Sequence, residues 1–497
     1  MMEFSITMKA PESSPCDALA LGVFKDAGRL EGVAAKVDAA LGGALSKILA
    51  EERFGAQPSN ALVVHTHGKL PAKRLLVVGL GPKETFTLDR LRQAAATVIR
   101  RAEDLHAKHV IFPPLAIRPH SVEALTQARV EGIILGAYRF TRYKAAESTP
   151  VAHVELLATD AAHRASVEEG LRQGRVFAEA TVFARDLVNE PPNALPPVRL
   201  AEIAAEGARA NGLRCSILDV DAMRGLGMGA ILAVAAGSAQ PPRLIVLEYA
   251  PPKAKKTIAL VGKGVTFDSG GLNLKSSEGM VGMKADMAGG AAVIAVLNAV
   301  SALHLPVRVL GVVAAVENLP GGRATKPGDI IQASNGKTIE ITNTDAEGRV
   351  ILADALVYAA RQKADAIIDI ATLTGSAMVA LGFYAAAAIG NDPALIQKLL
   401  AAADLAGERF WQLPLYEEYL EEMRSPIADL RNSGGRYGGA EKAAIFLREF
   451  VDGRPWVHLD IAPTAFLDQD EGTGPYVPKG ATGYGVRTLL TYLLNGA

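Results

Sequence analysis

The chain of 497 residues has only two cysteines, Cys16 and Cys215, far apart and without metal-type spacing. A disulfide framework is not expected, and a reducing compartment fits best. Net charge is also nearly absent: the balance of -1 at pH 7 gives no whole-molecule attraction to nucleic acid or anionic lipid. The opening residues Met1 to Thr7 show no basic segment followed by a long apolar stretch, so no secretion signal is expected. The longest nearly uncharged run, Ala377 to Gly390, is short for a bilayer span and reads as a buried helix or strand-plus-helix. A cytoplasmic protein with no membrane contact is the expectation. Several catalytic motifs are missing too. The nine histidines include no His-Glu-x-x-His, and there is no Walker A sequence and no Gly-x-Ser-x-Gly elbow. His65 and His67 alternate along a predicted strand with no further ligands nearby and read as structural. Gly79-Leu80-Gly81 begins like a dinucleotide loop, but Glu84 occupies the third glycine position.

What is present is an α/β grammar in a chain too long for one typical core. Hydrophobic residues are 49% and charged residues 21%, as in ordinary globular proteins. Strand-like runs at 61–64, 74–78 and 109–112 alternate with helical spacing over 88–105 and 122–138. A long helix is predicted over 161–188, stopped by Pro191-Pro192. Beyond it, strands are predicted at 244–247, 257–261, 308–316 and 366–370, and helices at 288–302, 350–360 and 393–406. The expected architecture is a smaller N-terminal α/β domain, residues 1–165, and a larger C-terminal α/β domain, 166–497, with a mostly parallel mixed sheet.

The most informative stretch is Asn343-Thr344-Asp345-Ala346-Glu347-Gly348-Arg349, where an apolar β-type run (338–342) gives way to a helical one. Such a junction can aim charged groups into a cleft at the end of a sheet. Upstream stand Lys263, at the C-terminal end of an apolar strand and flanked by glycines, Asp268, Lys275, and Asp286 at the start of a helix of small residues. Each alone has a plain reading: Asp286 as an N-cap, Asp345 and Glu347 as complements to a helix dipole, Lys263 as a solvated turn residue. Together they flank strand ends in apolar surroundings, where unpaired buried charge is too costly to keep without metals or partners. Asp268, Asp286, Asp345 and Glu347 supply four negative charges, which would balance two divalent cations. Lys263 would then join as a neutral amine, its pKa depressed by a neighbouring metal. Lys275 and Arg349 remain as cations able to stabilise an oxyanion. The oxygen-rich set suits Mn²⁺ or Mg²⁺, and one amine ligand keeps Zn²⁺ open.

At these residues the chain resembles the leucyl aminopeptidase family, the cytosol aminopeptidases. Asn343 to Arg349 is that family's most specific signature; Lys263 to Gly271, Lys275, Asp286 and Ala371-Thr372-Leu373-Thr374-Gly375 match in order and spacing. The likeness continues through 411–415, 428–432 and 458–462, covering most of residues 170–497, and rests in the first domain chiefly on 131–140. It implies a hydrolase releasing N-terminal, leucine-like residues from peptides. It implies one metal on Asp268, Asp345 and Glu347, a second on Lys263, Asp268, Asp286 and Glu347, and catalytic roles for Lys275 and Arg349. Substrate contacts are implied at Met283, Asn343, Thr372, Leu373, Gly375 and Ala462. An arginine lacks a basic pKa suited to accepting a proton; the resemblance makes Arg349 the anchor of a bicarbonate that shuttles it. A homohexamer is implied as well. Pro463, where relatives often carry glycine, and the small Ala465 depart from the pattern near the side-chain pocket, which leaves substrate preference open.

Two close divalent ions would lower the pKa of a shared water, a free α-amine on one ion would explain exo-action, and Lys275 would stabilise the tetrahedral oxyanion. Some bacterial relatives resemble DNA-binding regulators as well as peptidases. The basic candidates here, Lys253, Lys255 and Lys256 in one loop and Arg100-Arg101, read better as solvated turn and helix residues. The first domain also resembles macro-type α/β modules at fold level, so a nucleotide-like ligand there is an analogy.

Overall fold

The computed structural model describes residues 2–25, 29–144, 149–468 and 474–496. The chain divides into two compact units, Met1–Glu179 with Gly472–Pro478, and Ala180–Glu471 with Lys479–Ala497. The division falls inside one continuous helix, Ala161–Asn189. Tyr476 ties its late segment to the first unit, because its hydroxyl donates to the Asp89 carboxylate.

The first unit is built on strands β1 (Glu3–Thr7), β2 (Ala18–Phe24), β3 (Ala61–His65), β4 (Arg74–Gly81), β5 (His109–Phe112) and β6 (His153–Leu157). They form one sheet in the order β1-β6-β5-β2-β4-β3, parallel except for β3 at the edge. β2 and β4 are almost wholly buried and read as continuous apolar runs, as doubly covered parallel strands do. The helices Leu88–Asp104 and Val122–Ala137 start at caps on Thr87 and Ser121 and pack nearly backbone to backbone. A Cβ on Gly132 would lie 2.2 Å from the Arg92 carbonyl oxygen. The buried pair Arg92 Nε–Glu131 Oε2, at 2.6 Å, pins the two helices together.

The second unit carries β7 (Arg214–Leu218), β8 (Arg243–Tyr249), β9 (Thr257–Asp268), β10 (Arg308–Asn318), β11 (Ile330–Gln332), β12 (Thr338–Glu340), β13 (Ala366–Ala371), β14 (Ala386–Gly390), β15 (Phe410–Gln412), β16 (Leu430–Arg431) and β17 (Trp456–Asp460). Eight of these make a mixed sheet, β15-β14-β17-β13-β9-β10-β8-β7, whose central run β17-β13-β9-β10 is parallel. The helix Ala288–Val300, buried at every residue but Asn298, lies on β9 and β13 through glycines. A Cβ on Gly289 would fall 2.0 Å from the Ile370 oxygen, and one on Gly290 2.9 Å from the Lys263 oxygen. No residue larger than glycine permits that approach.

Two expectations are corrected. The apolar run before the signature, expected as β-type over 338–342, is a strand only over Thr338–Glu340, and its sheet is a small one of β11, β12 and β16. The run Ala377 to Gly390 is buried only in its second half. β14 is inside, whereas the helix Gly375–Leu381 buries Ala377 alone and leaves Val379 90% exposed.

Candidate metal centre and active site

β9 delivers the first two charged groups. Lys263 does not end this strand, as expected from sequence; β9 runs five residues further, to Asp268. Residues 263 and 268 would face opposite sides of a regular strand, whose side chains alternate. The pairing of β9 with β10 slips where Val265 partners Val316 but Phe267 partners Glu317, leaving Thr266 extra. That bulge restores both groups to one side.

Asp286 sits between the short 3₁₀ turn Met283–Ala285 and the helix Ala288–Val300. It does not cap that helix, whose N-cap Met287 makes no side-chain bond. Its Oδ1 instead meets Lys263 Nζ at 2.7 Å and accepts from Thr372 Oγ1 at 2.9 Å. Glu347 is the first residue of the helix Glu347–Arg361, and its Oε1 lies 2.8 Å from Lys263 Nζ. Lys275 Nζ bridges Asp268 Oδ2 at 2.9 Å and Asp345 Oδ1 at 2.5 Å. The structure therefore brings together all five expected metal ligands and Lys275, from two stretches of chain.

Electrostatics decide what this cluster tolerates. Burial pulls the Lys263 amine down, but the attraction of Asp286, Glu347 and Asp268 outweighs it and raises the pKa. Burial likewise opposes, and Asp268 and Asp345 reverse, the shift of Lys275, which is also raised. The same carboxylates that favour the Lys263 ammonium would favour a divalent cation, and a cation placed among them would expel its proton, giving the neutral amine expected of a ligand. The acids outnumber these bases. Burial raises the pKa of Asp286, Glu347 and Asp345, and neighbouring carboxylates push the same way. Oxygens of Asp268, Asp286 and Glu347 lie within 4.8 Å of one another, and Asp286 Oδ2 is buried without a hydrogen-bond partner. A surplus of buried carboxylate with an orphaned oxygen fits a hard divalent cation.

Arg349, 8% exposed, follows two residues after Glu347. Its Nε is buried without a partner, and burial lowers the pKa to about 10, so it remains charged at neutral pH. It feels Glu347 and Asp460 but makes no hydrogen bond among the described residues. A buried, unpaired guanidinium beside the carboxylates is a place for a small anion.

The expected substrate contacts take several positions. Asn343 Oδ1 accepts from the Asp345 amide at 2.9 Å, so that side chain shapes the ligand turn. Thr372 bonds to Asp286. Leu373 and Ala462 are drawn together because Asp460 Oδ1 accepts both their amides, at 3.1 and 3.2 Å. Met283 opens the turn leading to Asp286, and the space a Gly375 Cβ would enter is free. Pro463 and Ala465 are both buried.

Sequence reasoning missed the residues that hold the ligands. Asn318 Nδ2 donates to Asp268 Oδ1 at 2.8 Å and to the Thr344 carbonyl at 3.0 Å, joining the two stretches. Thr344 Oγ1 donates to the Gly270 carbonyl at 2.7 Å, and Asn432 Nδ2 donates to the Asn343 carbonyl at 2.7 Å. One signal was available: Asn318 closes β10, a polar residue after an apolar run, beside the strand that ends at Asp268.

Comparisons with known proteins agree with this geometry. The model for the cytosol aminopeptidase family, catalytic domain, matches residues 182–490, and that for the family's N-terminal domain matches 20–147. The chain belongs to the cytosol aminopeptidase family. It is a metal-dependent peptide hydrolase of the aminopeptidase type. A "Probable cytosol aminopeptidase" of Geobacter sulfurreducens is 46% identical over 96% of both chains, and one of Alkaliphilus metalliredigens 42% over 98% of both. Among solved structures, the bottromycin maturation enzyme BotP in complex with Mn is 39% identical, with a TM-score of 0.86 over 97% of this chain and 99% of that one. A mutant of tomato leucine aminopeptidase is 34% identical, with a TM-score of 0.89 over 100% of this chain and 97% of that one. These likenesses do not favour the DNA-binding alternative. Arg101 is tied to Asp104, and Lys253, Lys255 and Lys256 stand on an exposed turn.

Proposed function

We propose that this aminopeptidase uses two divalent ions to release N-terminal, leucine-like residues from peptides in the cytoplasm. One observation carries the reading: four carboxylates from separate stretches converge on two lysines in a buried site, with acid in excess and a charged, unpaired Arg349 alongside. Asp268, Asp345 and Glu347 would hold one ion, and Lys263, Asp268, Asp286 and Glu347 the other. Mn²⁺ is the first candidate, since BotP was solved with it; Zn²⁺ and Mg²⁺ suit the same donors. Bound ions supply an acidified water and a polarised scissile carbonyl at neutral pH.

The protein's own groups do the rest. Lys275, released from Asp268 and Asp345 when cations neutralise them, is free to donate to the developing oxyanion. Arg349 holds an anion such as bicarbonate, which takes the proton an arginine cannot accept. Asp460 fixes the amides of Leu373, Thr374 and Ala462, so the backbone beside the site is set before substrate arrives. The homohexamer follows from the family resemblance, and bulky apolar side chains left open on the second unit, among them Val281, Val379, Trp411 and Tyr437, are surface that an assembly would cover. The test is hydrolysis of leucine amide by purified Glu347→Ala and Asp268→Ala proteins. Both should lose activity by more than about a thousandfold while keeping their circular dichroism. Full turnover in either overturns the assignment.

A further inference from the structure

Peptide hydrolysis leaves one feature of the first unit unused. A cavity of about 680 Å³ opens at the C-terminal ends of its parallel strands, lined by residues of β2, β4 and β5 and by the segments that follow β1 and β6. β2 and β5 are neighbours whose chains leave in opposite directions, β2 toward β4 and β5 toward β6. A crevice at such a switch point is where open α/β sheets take ligands. Its volume is within the ordinary range for small-molecule sites, roughly 300–1,000 Å³.

Two independent features select for negative charge. Arg129, on the helix Val122–Ala137, lines the cavity and is 8% exposed. Its Nη1 donates to the Pro113 carbonyl at 2.9 Å, its guanidinium stands 5.9 Å from the Phe112 ring centre, and no carboxylate pairs with it among the described residues. Burial alone moves its pKa, to about 10, so the group keeps its charge at neutral pH, with a carbonyl and a ring face beside it but no carboxylate among the described residues. Buried cations left in this state are costly unless a ligand completes them. The second feature is the start of the helix Gly32–Ala40. Its N-cap, Glu31, provides no side-chain cap, and Gly32, Val33 and Ala34 all line the cavity. Their amides precede the first intrahelical bond, from Ala35 N to the Glu31 oxygen at 3.3 Å, and have no partner among the described residues, as an anion site at a helix start requires. The charged rim, Lys9, Lys36 and Lys83 against Glu12 and Glu31, also leans positive. Much of the remaining wall is apolar, with Leu80, Leu91, Val98 and Phe112 among its residues.

We infer that the first unit binds an organic phosphate of nucleotide size, its phosphates held by Arg129 and the amides of Gly32 to Ala34 and its flat body laid on the apolar wall. A buried arginine and a row of helix-start amides on an otherwise apolar wall match a ligand that joins phosphate groups to an unsaturated or apolar body.

Calorimetric titration of the whole protein with ADP, pyrophosphate, adenosine and decanoate tests this. ADP should bind once per chain, more tightly than pyrophosphate or adenosine. Arg129→Met and Val33→Glu should each weaken ADP at least about tenfold and leave leucine amide hydrolysis unchanged, because neither residue belongs to the carboxylate cluster. Val33→Glu places its acid where a helix start favours it, so it decides the matter if the arginine variant does not fold. The inference is overturned if ADP fails to bind at about 1 mM, or if both variants bind it normally. Pyrophosphate binding as well as ADP, or decanoate binding in its place, also overturns it.

Discussion

At Gly348 the backbone of a helix's first turn comes so close to Lys263 that a Cβ would sit 2.7 Å from both Cε and Nζ. The amine has little room to retreat, since it is boxed by Asp286, Glu347 and the Thr372 carbonyl, the last at 3.0 Å. Gly348→Ala should therefore lower kcat/KM at least about tenfold, roughly 1.4 kcal/mol of transition-state stabilisation. Its melting temperature should change little, because alanine is the better helix former by about 1 kcal/mol. Unchanged kcat/KM would show that Lys263 is not held where the account needs it. The charged members of the site were legible at this scale because acids and lysines in apolar sequence demand partners. Asn318, Thr344 and Asp460 were not. The first two are neutral, the third lies far along the chain, and their work is to orient other groups.

Among elements, the helix Glu347–Arg361 matters most, because it starts with Glu347 and carries Arg349. Its anchor is Asp354, whose carboxylate accepts the amides of Ala230 and Ile231 at the start of the helix Gly229–Ala235, at 2.9 and 3.0 Å, and of Ser334 at 2.7 Å. Burial nevertheless outweighs these bonds and raises the Asp354 pKa from 3.8 to about 6. The folded state thus holds this proton more tightly than the unfolded chain. The stabilisation is complete below pH 4 and is lost as pH rises to about 6, a change of about 3 kcal/mol. Denaturant titrations of wild type and Asp354→Asn across that window should show the wild type losing stability relative to the variant as pH rises. A constant difference would contradict the shift. Long periodic helices such as Pro393–Ala406 were legible from their spacing. β9 was truncated in the reading at its glycines, and its bulge was invisible because only pairing with β10 defines the extra residue. The exposed helix Gly375–Leu381 misled for another reason: apolar composition does not say whether another surface covers it.

For the molecule as a whole, the α/β class and the presence of two units were legible from alternation and length. The boundary expected at 165/166 lies in the same helix, Ala161–Asn189, as the division between the units at Glu179/Ala180; the point along that helix was not legible, because no change of composition marks it. Assembly is the proposal that belongs to this scale. Sedimentation equilibrium should give six chains per particle, and a monomer at micromolar concentration would remove the hexamer. The central claim, that acidic groups from two stretches converge on a pair of cations, is tested most directly by anomalous diffraction at the Mn and Zn edges from crystals grown with either metal. Two peaks per chain are expected, both within coordination distance of Asp268 and Glu347, one also reaching Asp345 and the other Asp286 and Lys263. Peaks elsewhere, or none at these side chains, would contradict it.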